Sequence, residues 1–313
     1  MIQIKENEII EFKATYQEGL FDKEAKECTY TIACTDVFKN KGLLEKSKID
    51  CIITDPPYNL LDHKIETGID TDKMFSLFYE YLPKNSFCSF FGQHPGLNNF
   101  LNSAYKAGFK YKAEIIWDKM GISNPFGDVL RSHENNIVLT KGSQRVYDNK
   151  ISFEKWMDEE YILKAESLKR ELSYWKSKAQ GREVGNMCNK KKLNKHHEIY
   201  RHLSCKNLTL GNDTKRIQSV WHVHRDQMSK KGQKSHVTQK PLEFMSRLVK
   251  MLSKEGRLVC DPFGGSGSTL LSCLKIRRNC IMYEIHEDIA NFAIHRLLTY
   301  FDDFDIKYSY KKY

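Results

Sequence analysis

The sequence predicts an α/β fold with a largely parallel sheet, and three observations predict it. Two apolar runs, Ile49 to Thr54 and Arg257 to Cys260, each lead into a turn built from proline or glycine. The second turn opens a segment with helical spacing of apolar residues, Ser268 to Ile276, and a third short apolar run, Cys280 to Tyr283, follows it. Strand, turn, helix and strand in succession form the βαβ unit of parallel sheets, whose strands are buried on both faces and read as continuous apolar runs.

In chain order, the first 28 residues are mixed in charge with little period and predict no element. Ile49 to Thr54 then reads as a buried strand ending at Asp55-Pro56-Pro57-Tyr58. Ligands of open α/β sheets bind outside the carboxyl ends of the strands, so these four residues are candidate pocket residues. Each proline fixes its own φ and drives the preceding residue out of the helical region, which stiffens the turn. An exocyclic amino group offers two protons, and the Asp55 carboxylate and the Pro56 carbonyl can accept one each. Both bonds bend a planar, conjugated amine toward tetrahedral geometry and free its lone pair for attack on an electrophilic methyl group. Tyr58 is placed to stack on the base that carries the amine, a contact worth about 1–3 kcal/mol. Taken alone, the tetrapeptide also reads as a plain loop with Asp55 as a cap. Leu60 to Lys73 is polar, with Gly68 and three aspartates, and predicts a loop that orders over a ligand.

Arg257 to Cys260 is the next strand. Gly264, Gly265 and Gly267 follow, where the backbone can approach a ligand closely and the amino terminus of the next helix offers unpaired N–H groups to a carboxylate. After Cys280 to Tyr283 comes Glu284, positioned to accept hydrogen bonds from ribose hydroxyls, about 20 residues beyond the glycine turn. A nicotinamide or flavin site uses the same βαβ physics. The glycines read Gly264-Gly265-Ser266-Gly267 and not G-x-G-x-x-G, which argues against it.

These strings resemble the DNA amino-methyltransferases of the permuted β class, in which D-P-P-Y precedes the target-recognition segment and F-x-G-x-G follows it. The resemblance extends to Cys34-Thr35-Asp36, to Trp117-Asp118-Lys119 with His133-Glu134, and to Thr238-Gln239-Lys240-Pro241. Two positions depart from the family pattern: Thr35 replaces the usual glycine before Asp36, and Gly-Ser-Gly-Ser replaces Gly-Ser-Gly-Thr. The resemblance implies a Rossmann-like, S-adenosylmethionine-dependent methyltransferase fold with a largely parallel seven-stranded sheet, circularly permuted and carrying a helical insertion. It implies catalysis by Asp55, Pro56, Pro57 and Tyr58. It also implies a cofactor site formed by Asp36, Thr238, Lys240, Asp261, Phe263, Gly265, Ser266, Gly267, Ser268 and Glu284. Asp36 would meet the adenine end, Lys240 and the Phe263 to Ser268 turn the methionine end, and Glu284 the ribose. S-adenosylhomocysteine would be the product, with no metal required.

The D-P-P-Y form favours adenine N6 over cytosine N4 by resemblance and leaves both open. Carbon-5 cytosine chemistry needs a cysteine nucleophile, usually in a Pro-Cys context, and no such dipeptide occurs. The N-P-P-Y form associated with protein glutamine amides is also absent. An RNA or protein amino-methyltransferase on the same scaffold stays open as an alternative, as does a catalytically silent DNA-binding protein.

Charge supports a nucleic-acid partner. The 313 residues carry a net +10, and residues 150–234 alone hold 20 Lys or Arg against 10 Asp or Glu, so the whole excess lies there. A basic run by itself is usually a solvated surface. Between the two halves of this pattern it is expected to attract the phosphates of double-stranded DNA, with Lys190, Lys191, Lys192, Lys195, Arg201 and Lys206 as candidate contacts. Met157, Tyr161, Ala165, Leu168, Leu172, Trp175 and Ala179 form one apolar stripe of a helix that either packs on its own domain or makes a homodimer.

The expected division is 1–149 as the catalytic half, 150–232 as a basic, mostly helical target-recognition insertion, and 233–313 as the cofactor-binding half. Nine cysteines form no CxxC pair, and neither a signal peptide nor a membrane span is apparent, so a reduced, cytoplasmic protein is expected, with no membrane partner. Cys188, His196, His197, His202 and Cys205 lack paired zinc-ligand spacing, and no metal site is expected. A cognate restriction endonuclease is a partner that the family resemblance brings into view.

Overall fold

The computed structural model describes residues 2–16, 26–58, 68–119, 132–148, 150–152, 214–216, 218–224 and 239–313. The chain divides into two compact units, Met1–Asp148 with Ser219–Tyr313, and Asn149–Gln218. In the smaller unit, strands β7 (Lys150–Ser152) and β8 (Thr214–Arg216) pair antiparallel. The apolar stripe of 157–179, the candidate DNA contacts of 190–206 and the Cys and His residues of 188–205 lie outside the described residues.

The larger unit is an α/β structure around one mixed sheet. Among the described residues its strands run in the order β12, β1, β2, β11, β10, β3, β4, β6, β5, β9. The ranges are β1 Ile9–Tyr16, β2 Lys26–Ala33, β3 Cys51–Thr54, β4 Ser86–Gly92, β5 Lys110–Asp118, β6 His133–Lys141, β9 Val220–His222, β10 Leu258–Asp261, β11 Asn279–Tyr283 and β12 Lys307–Lys312. The five central strands, β2 to β4 in that order, are parallel. β6 runs antiparallel to both β4 and β5. The expected seven strands are the stretch from β2 to β5. The antiparallel pair β12 and β1 extends it at one edge, and β9, parallel to β5, extends it at the other.

Within residues 1–28, the described residues 2–16 and 26–28 hold more structure than composition suggested. β1 (IIEFKATY) buries Ile10, Phe12, Ala14 and Tyr16 and turns the residues between them outward, the period of a half-buried strand. β3 (CIIT) and β4 (SFCSFFG) are buried at every position because helices cover both faces.

On one face lie α1 (Gly42–Lys46), α2 (Thr71–Tyr81) and α3 (Gly96–Ala107). Phe75 of α2 meets Phe90 of β4 edge to face at 5.1 Å, and Phe100 of α3 meets Phe90 at 5.7 Å. Alternation sends Phe91 to the opposite face, where Phe244 of α4 (Leu242–Leu252) lies 5.5 Å from it and 4.8 Å from Trp221. α5 (Ser268–Lys275) and α6 (Glu287–Asp303) complete that layer.

Two of these helices end on local chemistry. The Asp70 carboxylate accepts from the Lys73 backbone N–H at 3.0 Å and caps α2, so residues 71–73, expected in a loop, are the first turn of a helix. Residues 60–67 of that expected loop lie outside the described residues. Gly108 stops α3 at φ 107°, a conformation that costs a residue with Cβ about 1–2 kcal/mol.

Candidate functional site

Strands β2, β11, β10 and β3 are parallel, so their carboxyl ends share one edge of the sheet. Each delivers one element of the site there: Asp36 beyond β2, Glu284 beyond β11, Asp261 to Gly267 at β10, and Asp55 to Tyr58 beyond β3. A cavity of about 380 Å³ lies against them, within the range of small-molecule sites. Asp36, Asp55, Pro56, Pro57, Tyr58, Lys240, Asp261, Phe263, Gly265, Ser266, Ser268 and Glu284 all line it. Of the residues named from sequence, Gly267 caps α5 without lining the cavity, and Thr238 lies outside the described residues.

The glycine turn has the expected conformation. Gly264 donates to the Tyr283 carbonyl at 2.7 Å, and a Cβ there would fall 2.5 Å from the Met282 side chain, so only glycine fits between β10 and β11. Gly265 has φ +50°, and a Cβ on it would meet nothing within 4 Å. Its N–H donates to Glu284 Oε2 at 3.0 Å, while His286 N–H donates to Oε1 at 2.9 Å. A carboxylate has about four acceptor positions, so each Glu284 oxygen retains a lone pair for a ligand hydroxyl. Burial raises the Glu284 carboxyl above its ordinary value, and the two backbone bonds oppose that rise.

Gly267, at φ +78°, starts α5, whose first N–H groups have no partner within the helix. Ser268 Oγ donates to the Lys240 carbonyl at 3.0 Å and ties this helix to the loop ahead of α4. Arg296 Nη1 donates to the Ser266 carbonyl at 2.5 Å from α6, fixing the turn from below.

Asp261 is buried. Thr54 Oγ1 donates to its Oδ1 at 2.7 Å, and the Phe263 N–H donates to the same oxygen at 3.2 Å. Burial pushes its carboxyl up to about 6 against these bonds. Asp261 thus joins the strand ahead of Asp55 to the glycine turn. Asp36 Oδ1 accepts from the Phe38 N–H at 2.8 Å, and Thr35 is buried with its hydroxyl donating to Asn7 Oδ1 at 3.1 Å. Asn7 lies in the segment that sequence reading left without a role.

The Asp55 carboxylate is bonded at both oxygens: the Tyr58 hydroxyl donates to Oδ1, and the Lys240 ammonium donates to Oδ2. The Lys240 side chain is 8 % exposed, and its ammonium also lies 3.2 Å from Glu134 Oε2 and 4.7 Å from the centre of the Phe91 ring. Glu134 Oε1 in turn accepts from the Lys119 ammonium. Sequence reading gave Lys240 to the methionine end of a cofactor; the structure places its ammonium on Asp55. Burial raises Asp55, and Lys240 opposes that rise. Burial would also raise Glu134, but Lys240 and Lys119 together hold it below its ordinary value.

Glu134 and Lys119 lie in strings that carry the family resemblance but to which the sequence assigned no site role. β6 is antiparallel to β4, so its first residues, His133 and Glu134, come to the edge where β3 and β4 end. The register pairs Trp117 with Glu134 and so brings Lys119, just past β5, to the same place. Strand order alone makes this meeting, and no local signal carries it.

A profile of the DNA methylase family for N6 and N4 amino groups matches residues 49–295. Type II methyltransferase M.HpaI of Haemophilus parainfluenzae is 24 % identical over 289 residues, covering 88 % of this chain and 76 % of its own length. Type II methyltransferase M.HindIII of Haemophilus influenzae is 47 % identical over 62 residues, 20 % of each chain. Among solved structures, the cytosine-N4-specific PvuII DNA methyltransferase superposes with a TM-score of 0.53 at 14 % identity, over 85 % of this chain and 86 % of that one. The M1.HpyAVI–SAM complex gives 0.50 at 18 % identity, over 85 % and 98 %. These superpositions identify the fold as the Rossmann-like one of methyltransferases. With the profile spanning both halves of the cavity, the chain belongs to the DNA methylase family that acts on N6 or N4 amino groups.

Proposed function

We propose that this protein transfers a methyl group from S-adenosylmethionine to the N6 amino group of adenine in double-stranded DNA. The observation that carries the reading is a half-buried acceptor, Asp55, beside an aromatic ring, Tyr58, at one end of a cavity whose other end holds Asp36 and Glu284. The residues fit the cofactor. Gly265 leaves open the space that a side chain would fill, Glu284 keeps acceptor capacity for ribose hydroxyls, and α5 presents its amino terminus. When bound, S-adenosylmethionine supplies an electrophilic methyl group whose departure leaves a neutral thioether.

The chain's own residues do the rest. A base buried in a duplex cannot reach the cavity, so the target nucleotide leaves the stack and Tyr58 receives its face. Asp55 and the Pro56 carbonyl accept hydrogen bonds from the two amino protons and aim the nitrogen lone pair, and one of those protons passes to solvent once the N–C bond has formed. Their stiff turn, braced by Thr54 on Asp261, fixes the line of approach. The Asp-Pro-Pro-Tyr form supports adenine over cytosine through the family pattern. Residues 150–232, with their basic excess, are proposed to hold the duplex and read its sequence; 1–149 and 233–313 are proposed as the catalytic and cofactor halves, in permuted order.

The test is incubation of the full chain with methyl-labelled S-adenosylmethionine and mixed-sequence duplex DNA, followed by digestion to nucleosides. Labelled N6-methyladenine is the expected product. Labelled N4-methylcytosine keeps the chemistry and overturns the base; label on RNA or protein alone overturns the substrate.

A further inference from the structure

Five side chains form a continuous chain of contacts behind the cavity, running Lys119, Glu134, Lys240, Asp55, Tyr58. Two ammonium and two carboxylate groups balance, and three of the four charged side chains are 11 % exposed or less. Methyl transfer at the cavity, as proposed, uses Asp55 and Tyr58. It has no task for Glu134 or Lys119, neither of which lines the cavity. Burying such charges is unfavourable unless each is paired, so an isolated surface-type role does not account for them.

We propose that Lys119 and Glu134 are positioning residues: Glu134, held by Lys119, takes a share of the Lys240 ammonium and so sets how strongly Asp55 is gripped, leaving an ionised carboxylate able to accept an amino group. The inference rests on the proposed amino-group chemistry. If Lys240 bound Asp55 alone, it would compete with the incoming amine for the same oxygens. If Glu134 held Lys240 fully, the half-buried Asp55 would take up a proton and lose acceptor capacity. The shared position avoids both. Among the described residues, the charged and titratable groups around Asp55 are Tyr58 on its own turn, Lys240 ahead of α4, Glu134 on β6, Lys119 beyond β5 and Asp261 on β10.

The two residues act in opposite directions, which a packing role would not do. Lys119→Met leaves Glu134 short of positive charge, draws Lys240 from Asp55 and raises the pH at which Asp55 ionises. Glu134→Gln gives Lys240 to Asp55 alone, removes a like charge and lowers that pH. The measurement is carboxyl carbon-13 NMR of the ligand-free full chain labelled at aspartate, with the Asp55 signal assigned through Asp55→Asn. Midpoints about one pH unit above wild type for Lys119→Met and about one below for Glu134→Gln are expected. Movement in one common direction, or none in either, overturns the proposal. Should Lys119→Met fail to fold, the double variant Lys119→Met/Glu134→Leu removes both charges together and is expected below wild type; a midpoint at or above wild type overturns the proposal. In labelled-methyl assays near neutral pH, both single variants are expected to lose about tenfold in kcat with cofactor affinity unchanged. Opposed midpoints without methyl transfer by the wild type uphold the cluster and overturn the functional reading. Methyl transfer with unmoved midpoints does the reverse.

Discussion

Lys240 and Asp55, 185 positions apart in sequence, meet as an ion pair at the edge of the cavity. The pair joins the cofactor half of the family pattern to its catalytic half, and so does the 2.7 Å bond from Thr54 to Asp261, 207 positions apart. The candidate site exists only where these two segments are assembled.

Asp55→Ala is expected to abolish methyl transfer, by at least about 10³-fold, while S-adenosylhomocysteine still binds within a few-fold of wild type. Initial rates and titration calorimetry measure the two. Wild-type turnover in this variant would remove Asp55 from the chemistry.

Tyr58 offers two separable features, a ring proposed to stack on the base and a hydroxyl that donates to Asp55. Tyr58→Phe keeps the ring and is expected to lower kcat by about tenfold with little change in KM for DNA. Tyr58→Ala also loses stacking, about 1–3 kcal/mol, and KM should rise. Equal kinetics in the two variants would show that the ring does not hold the base.

A side chain at position 265 would enter open space next to Glu284 from a backbone at φ +50°. Gly265→Val should therefore cost stability through backbone strain, about 1–2 kcal/mol, and weaken S-adenosylhomocysteine binding by more than tenfold. Calorimetry on the folded variant checks this. Unchanged affinity would move the cofactor away from the turn.

Asp261 has a folded-state value of about 6, raised by burial above the ordinary carboxyl range near 4. Between those two values the folded protein holds more protons than the unfolded chain, so stability falls as pH rises from about 4 to 6 and stays lowered above it. Asp261→Asn keeps the acceptor for Thr54 without the titration. Its stability relative to wild type is expected to improve across that window, by up to about 3 kcal/mol, in denaturant titrations at pH 4 and 7. A gap that does not change with pH would refute the raised value.

Much of this architecture is written locally. The runs at 49–54, 257–260 and 280–283 become β3, β10 and β11 with boundaries moved by one or two residues, and Ser268 to Ile276 becomes α5. β1 was legible too, since Ile10, Phe12, Ala14 and Tyr16 alternate with outward residues. Glu11 and Lys13 on the outer face made its composition look like that of a loop. In the same way, Asp70 carried an N-cap signal that the polar character of 60–73 obscured.

The sequence by itself determined the α/β class, the two turns that line the cavity and the segment that carries the net charge, because apolar period, proline and glycine stiffness and charge act over a few residues. Only the tertiary structure decided that Glu134 and Lys119 stand behind Asp55 and that Lys240 grips its carboxylate. Those contacts follow from β6 running antiparallel to β4 and from the pairing of Trp117 with Glu134. Strand order and register are settled by packing both faces of the sheet at once, a condition that no single segment of the chain contains.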